Sequence, residues 1–160
     1  MKVLKKIIFI VVLVSISIGL LFVGSGYDMY KKAIEETSIE DKIAEIKSKE
    51  NYTKISELPQ MYKNAVISVE DHRFYKHNGI DIIAIGRAAF NDIKAMSFVE
   101  GGSTITQQIA KNIYFTQEKK IERKIAEVFM AFKIEKNCDK DEILELYLNT
   151  SYFCLKCWDR

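Results

Sequence analysis

One proline, seven glycines, three cysteines and two histidines in 160 residues narrow the options from the start. So little glycine and proline speaks against a fibrous or low-complexity chain and leaves few punctuation points for a turn-rich sheet protein. Three cysteines are an odd number for an exported chain, and Cys154-Leu-Lys-Cys157 supplies half a zinc site at most. His72 and His77 stand five apart, whereas two ligands on one helix face need a spacing of four, so no metal is assigned to them. An excess of one charge sign is missing too: 24 basic against 22 acidic residues give a net +2, too weak a field to argue for nucleic acid. What is present is 48% hydrophobic and 29% charged residues, rich in Glu, Lys, Ile and Ala with few alternating runs. That composition predicts one mainly α domain with a real core.

The first segment stands apart from that domain. From Ile7 to Val23 no residue is charged, close to the minimum length for a membrane helix. Lys2, Lys5 and Lys6 precede it, while Lys31 and Lys32 are offset by Asp28, Glu35 and Glu36, so the positive-inside bias keeps the N-terminus cytoplasmic and the remainder outside. The alternative is a cleaved signal peptide, with Gly24, Ser25 and Gly26 as its small-x-small site. The length of the apolar run and the lack of a clear Ala-x-Ala favour a signal anchor over 1–26. Residues 27–55 then read as a helical stalk or linker, with a thin stripe of Tyr30, Ile34, Ile39, Ile43 and Ile46 that suits a stalk or a helix lying along the domain.

The domain is expected to begin at Ser56-Glu-Leu-Pro59, followed by Met61, Tyr62, Ala65, Val66 and Val69 at helical spacing. This helix runs into "SVEDHRFYKHNGID", Ser68 to Asp81, and places Glu70 near its C-terminus, where the macrodipole disfavours a carboxylate. Asp71 follows at once. Glu70 and Asp71 are either solvated acids or include a base held at a cleft edge.

Three later stretches bear on that choice. In "EGGSTITQQIAKN", Glu100 to Asn112, a glycine turn leads into a capping box at Thr104 and Gln107, and such a helix start offers N–H groups to an anion. Gln107, Gln108, Lys111 and Asn112 make that helix unusually polar. "KKIERKIAEVFMAFKIEKN", Lys119 to Asn137, is an amphipathic helix with an expected buried stripe of Ile121, Ile125, Val128, Phe129 and Phe132. Arg123 and Glu127, at i and i+4, are either a surface ion pair or a second carboxylate walled by apolar groups, with Lys124 beside it. "DKDEILELYLN", Asp139 to Asn149, reads as a capped structural helix with Ile143, Leu144, Tyr147 and Leu148 inward.

In this order and at these separations, "EDHRFYKHNGID", "GGSTITQQIAKN", "RKIAE" and "ILELYLN" resemble the four motifs of glycosyltransferase family 51, the peptidoglycan transglycosylase domain of monofunctional enzymes and of bifunctional penicillin-binding proteins. The resemblance covers roughly Leu58 to Phe153. It implies a lysozyme-like helical domain, incomplete over 56–153, that polymerises lipid II into β-1,4-linked glycan by inverting transfer, releasing undecaprenyl pyrophosphate at the outer face of the cytoplasmic membrane. By similarity Glu70 is the base and Glu127 the second essential carboxylate. Ser103, Thr104, Gln108, Lys111, Asn112, Arg123 and Lys124 match substrate-binding positions, and Asp71, Phe74 and His77 support the Glu70 loop. A divalent cation, Mg or Mn, at the pyrophosphate is the one cofactor it admits. The implied partners are lipid II, the growing strand, the membrane and cell wall synthesis machinery, with no nucleic acid. A second apolar surface for membrane contact would suit such a substrate. After Phe153 the family's glycine-rich continuation gives way to Cys-Leu-Lys-Cys-Trp-Asp-Arg, which reads as an aberrant tail over 154–160. The readings that compete with an active polymerase are an inactive anchored remnant and a lysozyme-like glycan hydrolase.

Overall fold

The computed structural model describes residues 2–98, 101–116, 118 and 120–151. The tail at 154–160, with Cys154 and Cys157, lies outside the described residues. Among those residues the chain forms seven α-helices and no strand, in keeping with the mainly α class that the composition predicts and with the helical architecture that the resemblance implies.

Helix α1 spans Lys2–Glu36, and its apolar stretch has a mean hydropathy of 3.0, sufficient by length and composition to cross a membrane. It does not stop at residue 26. The helix continues unbroken and lies against α6 (Ile121–Asn137). Gly26 is the notch that permits this approach, since a Cβ there would stand 2.6 Å from Ile125 Cγ2 and 2.9 Å from the Glu122 carbonyl oxygen. One and four residues on, the rings of Tyr27 and Tyr30 meet Phe129 at 5.2 and 5.9 Å.

Ser38 breaks and recaps the chain, accepting a hydrogen bond from the Asp41 N–H at 3.1 Å, and α2 follows over Ile39–Lys47. Ile39 and Ile46 are buried in the main core, with Tyr30, Ile34 and Ile43 packed against it. Of the two readings of 27–55, a stalk or a segment lying along the domain, these contacts accord with the second. The stripe is thin, yet an isoleucine every three to four residues is enough to fill a groove, and the spacing alone does not say what it faces. Residues 52–55 are likewise tied to α7 (Lys140–Thr150): Tyr52 Oη donates to Glu145, the Ile55 N–H donates to Glu145 Oε2 at 2.7 Å, and Asn149 Oδ1 accepts from the Thr53 N–H at 2.8 Å.

Helix α3 (Gln60–Glu70) starts directly after Pro59 and buries only Val66, leaving Met61 and Val69 exposed. Helix α4 (Ile82–Ala95) is capped by Asp81, whose Oδ1 accepts from the N–H groups of Ile83 and Ala84. It buries Ala88 alone and exposes Ile82, Ile83, Ile85, Phe90 and Ile93, an apolar face that periodicity did not locate. Helix α5 (Ile105–Tyr114) packs against both α6 and α7 and buries Ile105, Ile109 and Ala110.

On α6 the expected buried stripe is corrected. Ile121 and Phe132 are exposed, while Ala126, Glu127, Met130, Ala131 and Ile134 are buried. The helix is apolar on two sides: Ile125 and Phe129 meet α1, and Met130 and Ile134 belong to the core. A stripe chosen by bulk finds the first side and misses the second.

Candidate active site

The Glu-Asp pair that ends α3 splits in two directions. Asp71 is the C-cap and turns inward, 7% exposed, where both its oxygens accept from His77 Nε2 at 3.0 Å and Oδ2 also accepts the Ile105 N–H at 3.1 Å. One carboxylate thus joins the end of α3, the loop after it and the first turn of α5. Phe74 is fully buried beneath this loop, with the Lys140 ammonium 4.5 Å from its ring centre. Glu70 stays half-buried and points the other way, accepting from Gln108 Nε2 at 2.9 Å. A cavity of about 240 Å³ opens there, lined by Glu70, Asp71, Asp81, Arg87, Gly102 and Ser103 among others.

The start of α5 is held from several sides. Thr104 is its N-cap in a full capping box with Gln107, and the Thr104 hydroxyl donates to the Gly79 carbonyl at 2.6 Å. Gly79 has φ +80, a left-handed conformation that favours glycine, and lies close against Ala131 and Phe132 of α6. Its N–H donates to Glu135 at 2.9 Å, the same Oε1 that accepts from Thr106 and Lys140. Glu135 joins the loop, α5 and α7 at one atom, and the sequence reading missed it.

On the cavity wall, Ser103 accepts from Lys124 Nζ at 2.7 Å, and Lys124 also donates to Glu127 Oε2 at 2.8 Å. Arg123 donates to Glu127 Oε1. With its side chain 1% exposed, Glu127 is no surface ion pair. Its burial is compensated by two cations, which leave one unit of positive charge over the group. Ser103 is the bridge: it lines the cavity beside Glu70 and is hydrogen-bonded to the lysine that holds Glu127. Lys111 and Asn112 lie half-buried further along α5. Among the described residues their side chains make no ion pair or hydrogen bond with this cluster.

The fit of a divalent cation can be tested on the donor sets. Asp71, His77 and Asp81 bring three ligand atoms within 4.8 Å of one another. Their oxygens are already taken, Asp71 by His77 and the Ile105 N–H, and Asp81 by two N–H groups and by Arg73 Nε at 2.8 Å. Both oxygens of Glu127 face cations. These donors do not fit a metal.

Burial pushes the Tyr147 hydroxyl up to about 12, the Ser151 hydroxyl works in the opposite direction, and the charge of Glu70 and a hydrogen bond with it add to the rise. Tyr147 comes from the stretch read as structural, yet its hydroxyl donates to Gln108 Oε1 at 3.2 Å. No local signal reveals it, because the two residues are 39 apart in sequence.

A family model described as Transglycosylase matches residues 38–158. Penicillin-binding protein 1F of Bacillus subtilis (strain 168) is 52% identical over 99 residues, covering 62% of this chain and 14% of that protein. The monofunctional glycosyltransferase of Staphylococcus saprophyticus is 45% identical over 113 residues, covering 71% of this chain and 42% of that protein. Penicillin-binding protein 1A of Neisseria gonorrhoeae is 50% identical over 101 residues, covering 63% and 13%. In each case the matched stretch of the chain spans under half the length of the relative.

Proposed function

The chain belongs to the transglycosylase family, and on that premise we propose that it is a peptidoglycan glycosyltransferase that joins lipid II units into β-1,4-linked strands and releases undecaprenyl pyrophosphate. The observation that carries this reading is the pairing of two carboxylates in opposite settings, Glu70 on the cavity wall and Glu127 tied to that wall through Lys124 and Ser103. Glu70 is half-open and held by a neutral amide, as a proton acceptor should be; Glu127 is buried between two cations.

In the reaction Glu70 accepts the proton of the acceptor's 4-hydroxyl as that oxygen bonds to the anomeric carbon of the donor. The bond to the pyrophosphate breaks on the opposite face, so the α-linked donor becomes a β-linked product in one displacement. Charge grows on the departing pyrophosphate, and Arg123 and Lys124 are placed to balance it, with Glu127 fixing their positions. Lys111 would add a third cation. Ser103, Thr104, Gln108 and Asn112 line the donor side by this reading, while Asp71, Phe74 and His77 hold the Glu70 turn. The exposed face of α4, next to the cavity through Ala84 and Arg87, suits a substrate whose polyprenyl chain stays in the bilayer. With Lys2, Lys5 and Lys6 on the cytoplasmic side, α1 makes one pass and the domain works on the outer face.

Polymerisation of purified lipid II by the full chain in detergent tests the reading, beside Glu70→Gln with helical content recorded for both. Glycan from the wild type and a loss of about 100-fold or more in the variant is expected. A wild type that folds yet makes no strands would overturn the activity, and release of soluble fragments from finished cell wall would favour hydrolysis.

A further inference from the structure

We infer that Tyr147 is a positioning residue for Glu70, acting through Gln108. The inference rests on the reading of Glu70 as the base. Gln108 carries one carbonyl oxygen and one NH2 on a flat group that is nearly the same shape when turned by 180°. Only one orientation serves an ionised Glu70, with NH2 towards the carboxylate, because the other sets a carbonyl oxygen against it. In the structure Nε2 does face Glu70 Oε2 at 2.9 Å, and Oε1 points inward to the Tyr147 hydroxyl at 3.2 Å. Tyr147 is 2% exposed, so the inner end of the amide sits where water does not replace a lost partner.

The hydroxyl therefore does two things. It satisfies the buried amide oxygen, which would otherwise be left without a partner at a cost comparable to that of an unmade hydrogen bond. It also polarises the amide so that its NH2 donates more strongly to Glu70. Without it the amide regains a partner only by swinging away from the carboxylate. The anchoring is rigid, since Ile143, Leu144 and Leu146 of the same helix are buried alongside. Glu70 at the end of α3, Gln108 on α5 and Tyr147 on α7 then form one line from cavity to core.

Tyr147→Phe removes one oxygen and keeps the ring that fills the core. In the full chain in detergent, kcat for lipid II should fall by about tenfold while KM stays the same. The same substitution made on a Gln108→Ala background should cause a clearly smaller fall, since residues acting through a shared partner are not additive, and what remains is the direct interaction of Tyr147 with Glu70. A second readout is independent of turnover: the side-chain NH2 signal of Gln108, assigned by its loss in Gln108→Ala, should shift and exchange faster with solvent in Tyr147→Phe. An unmoved Gln108 signal, or a kcat loss that multiplies fully on the Gln108→Ala background, overturns the inference. If the wild type makes no glycan, the polymerase reading falls by itself, and the Gln108 signal still decides whether Tyr147 orients the amide.

Discussion

Glu70 lines the cavity and Glu127 is tied to its wall through Lys124 and Ser103, yet the surroundings of these two helical carboxylates are nearly opposite. Glu70 sits at the last residue of α3, half-exposed, where the helix end repels negative charge and the recorded donor is a neutral amide. Glu127 lies within α6, 1% exposed, with a guanidinium and an ammonium on its two oxygens. The first setting leaves a carboxylate open to the cavity. The second surrounds a carboxylate with two cations and makes it part of a cationic surface. Chemical identity therefore says little about role here, and the neighbours say most of it.

The strongest way to break this contrast is to remove one cation from the buried group. Arg123→Met leaves Glu127 with Lys124 alone, and breaking a buried pair in this way costs about 3 to 5 kcal/mol. Urea unfolding of the full chain in detergent should show that loss as a lower midpoint. Glu70→Gln, by contrast, should stay within about 0.5 kcal/mol of the wild type. Equal shifts in the two variants would mean that the settings differ in appearance only.

A smaller effect approaches Glu127 from behind. Gly24 and Gly26 lie two residues apart on α1, but a Cβ at Gly24 meets nothing within 4 Å, whereas at Gly26 it runs into Ile125 and the Glu122 carbonyl. Gly26→Ala should push α6 off its seat and cost about 1 to 3 kcal/mol. Gly24→Ala should be neutral or stabilising by up to about 1 kcal/mol. Hydrogen exchange would sharpen the comparison further: in Gly26→Ala, protection should drop in α6 around Glu127 and hold in α3 around Glu70.

What was legible from sequence was local. The capping box at Thr104 and Gln107 shows as a four-residue pattern, the exposed helix end at Glu70 as the place where a periodic run stops, and the Arg123–Glu127 pair as an i,i+4 spacing. The links that give these groups their settings are long-range. Gln108 reaches Glu70 across 38 residues and Tyr147 reaches Gln108 across 39. Ile39 and Ile46 are a stripe like any stalk's until α2 is seen against the core. The two apolar sides of α6 failed for a related reason: a helix wedged between two neighbours has two buried faces, and a single-stripe reading returns the bulkier one.

The smallest expected change concerns acid, and it should reach the Glu70 side of the cleft. Asp81 lines the same cavity and caps α4. Burial works to raise its pKa, but the Ala84 N–H, the nearby Arg73 charge and hydrogen bond, and the Ile83 N–H prevail, so the carboxyl is held below its usual range. A depressed folded-state value means that the ionised form is favoured by folding. Its contribution is therefore complete above the ordinary unfolded value of about 3.9 and is lost as the pH falls through the lower folded value. Asp81→Asn keeps an oxygen for the two cap hydrogen bonds and gives up the charge opposite Arg73, so the difference at pH 7 should be modest. That difference should then shrink as the pH drops below about 4, because protonation makes the wild type resemble the variant. Measured as unfolding midpoints across that range, a gap that stays constant would show that Asp81 acts as a cap alone. A closing gap, with faster hydrogen exchange confined to the first turn of α4, would show that charge on this side of the cavity supports the start of α4.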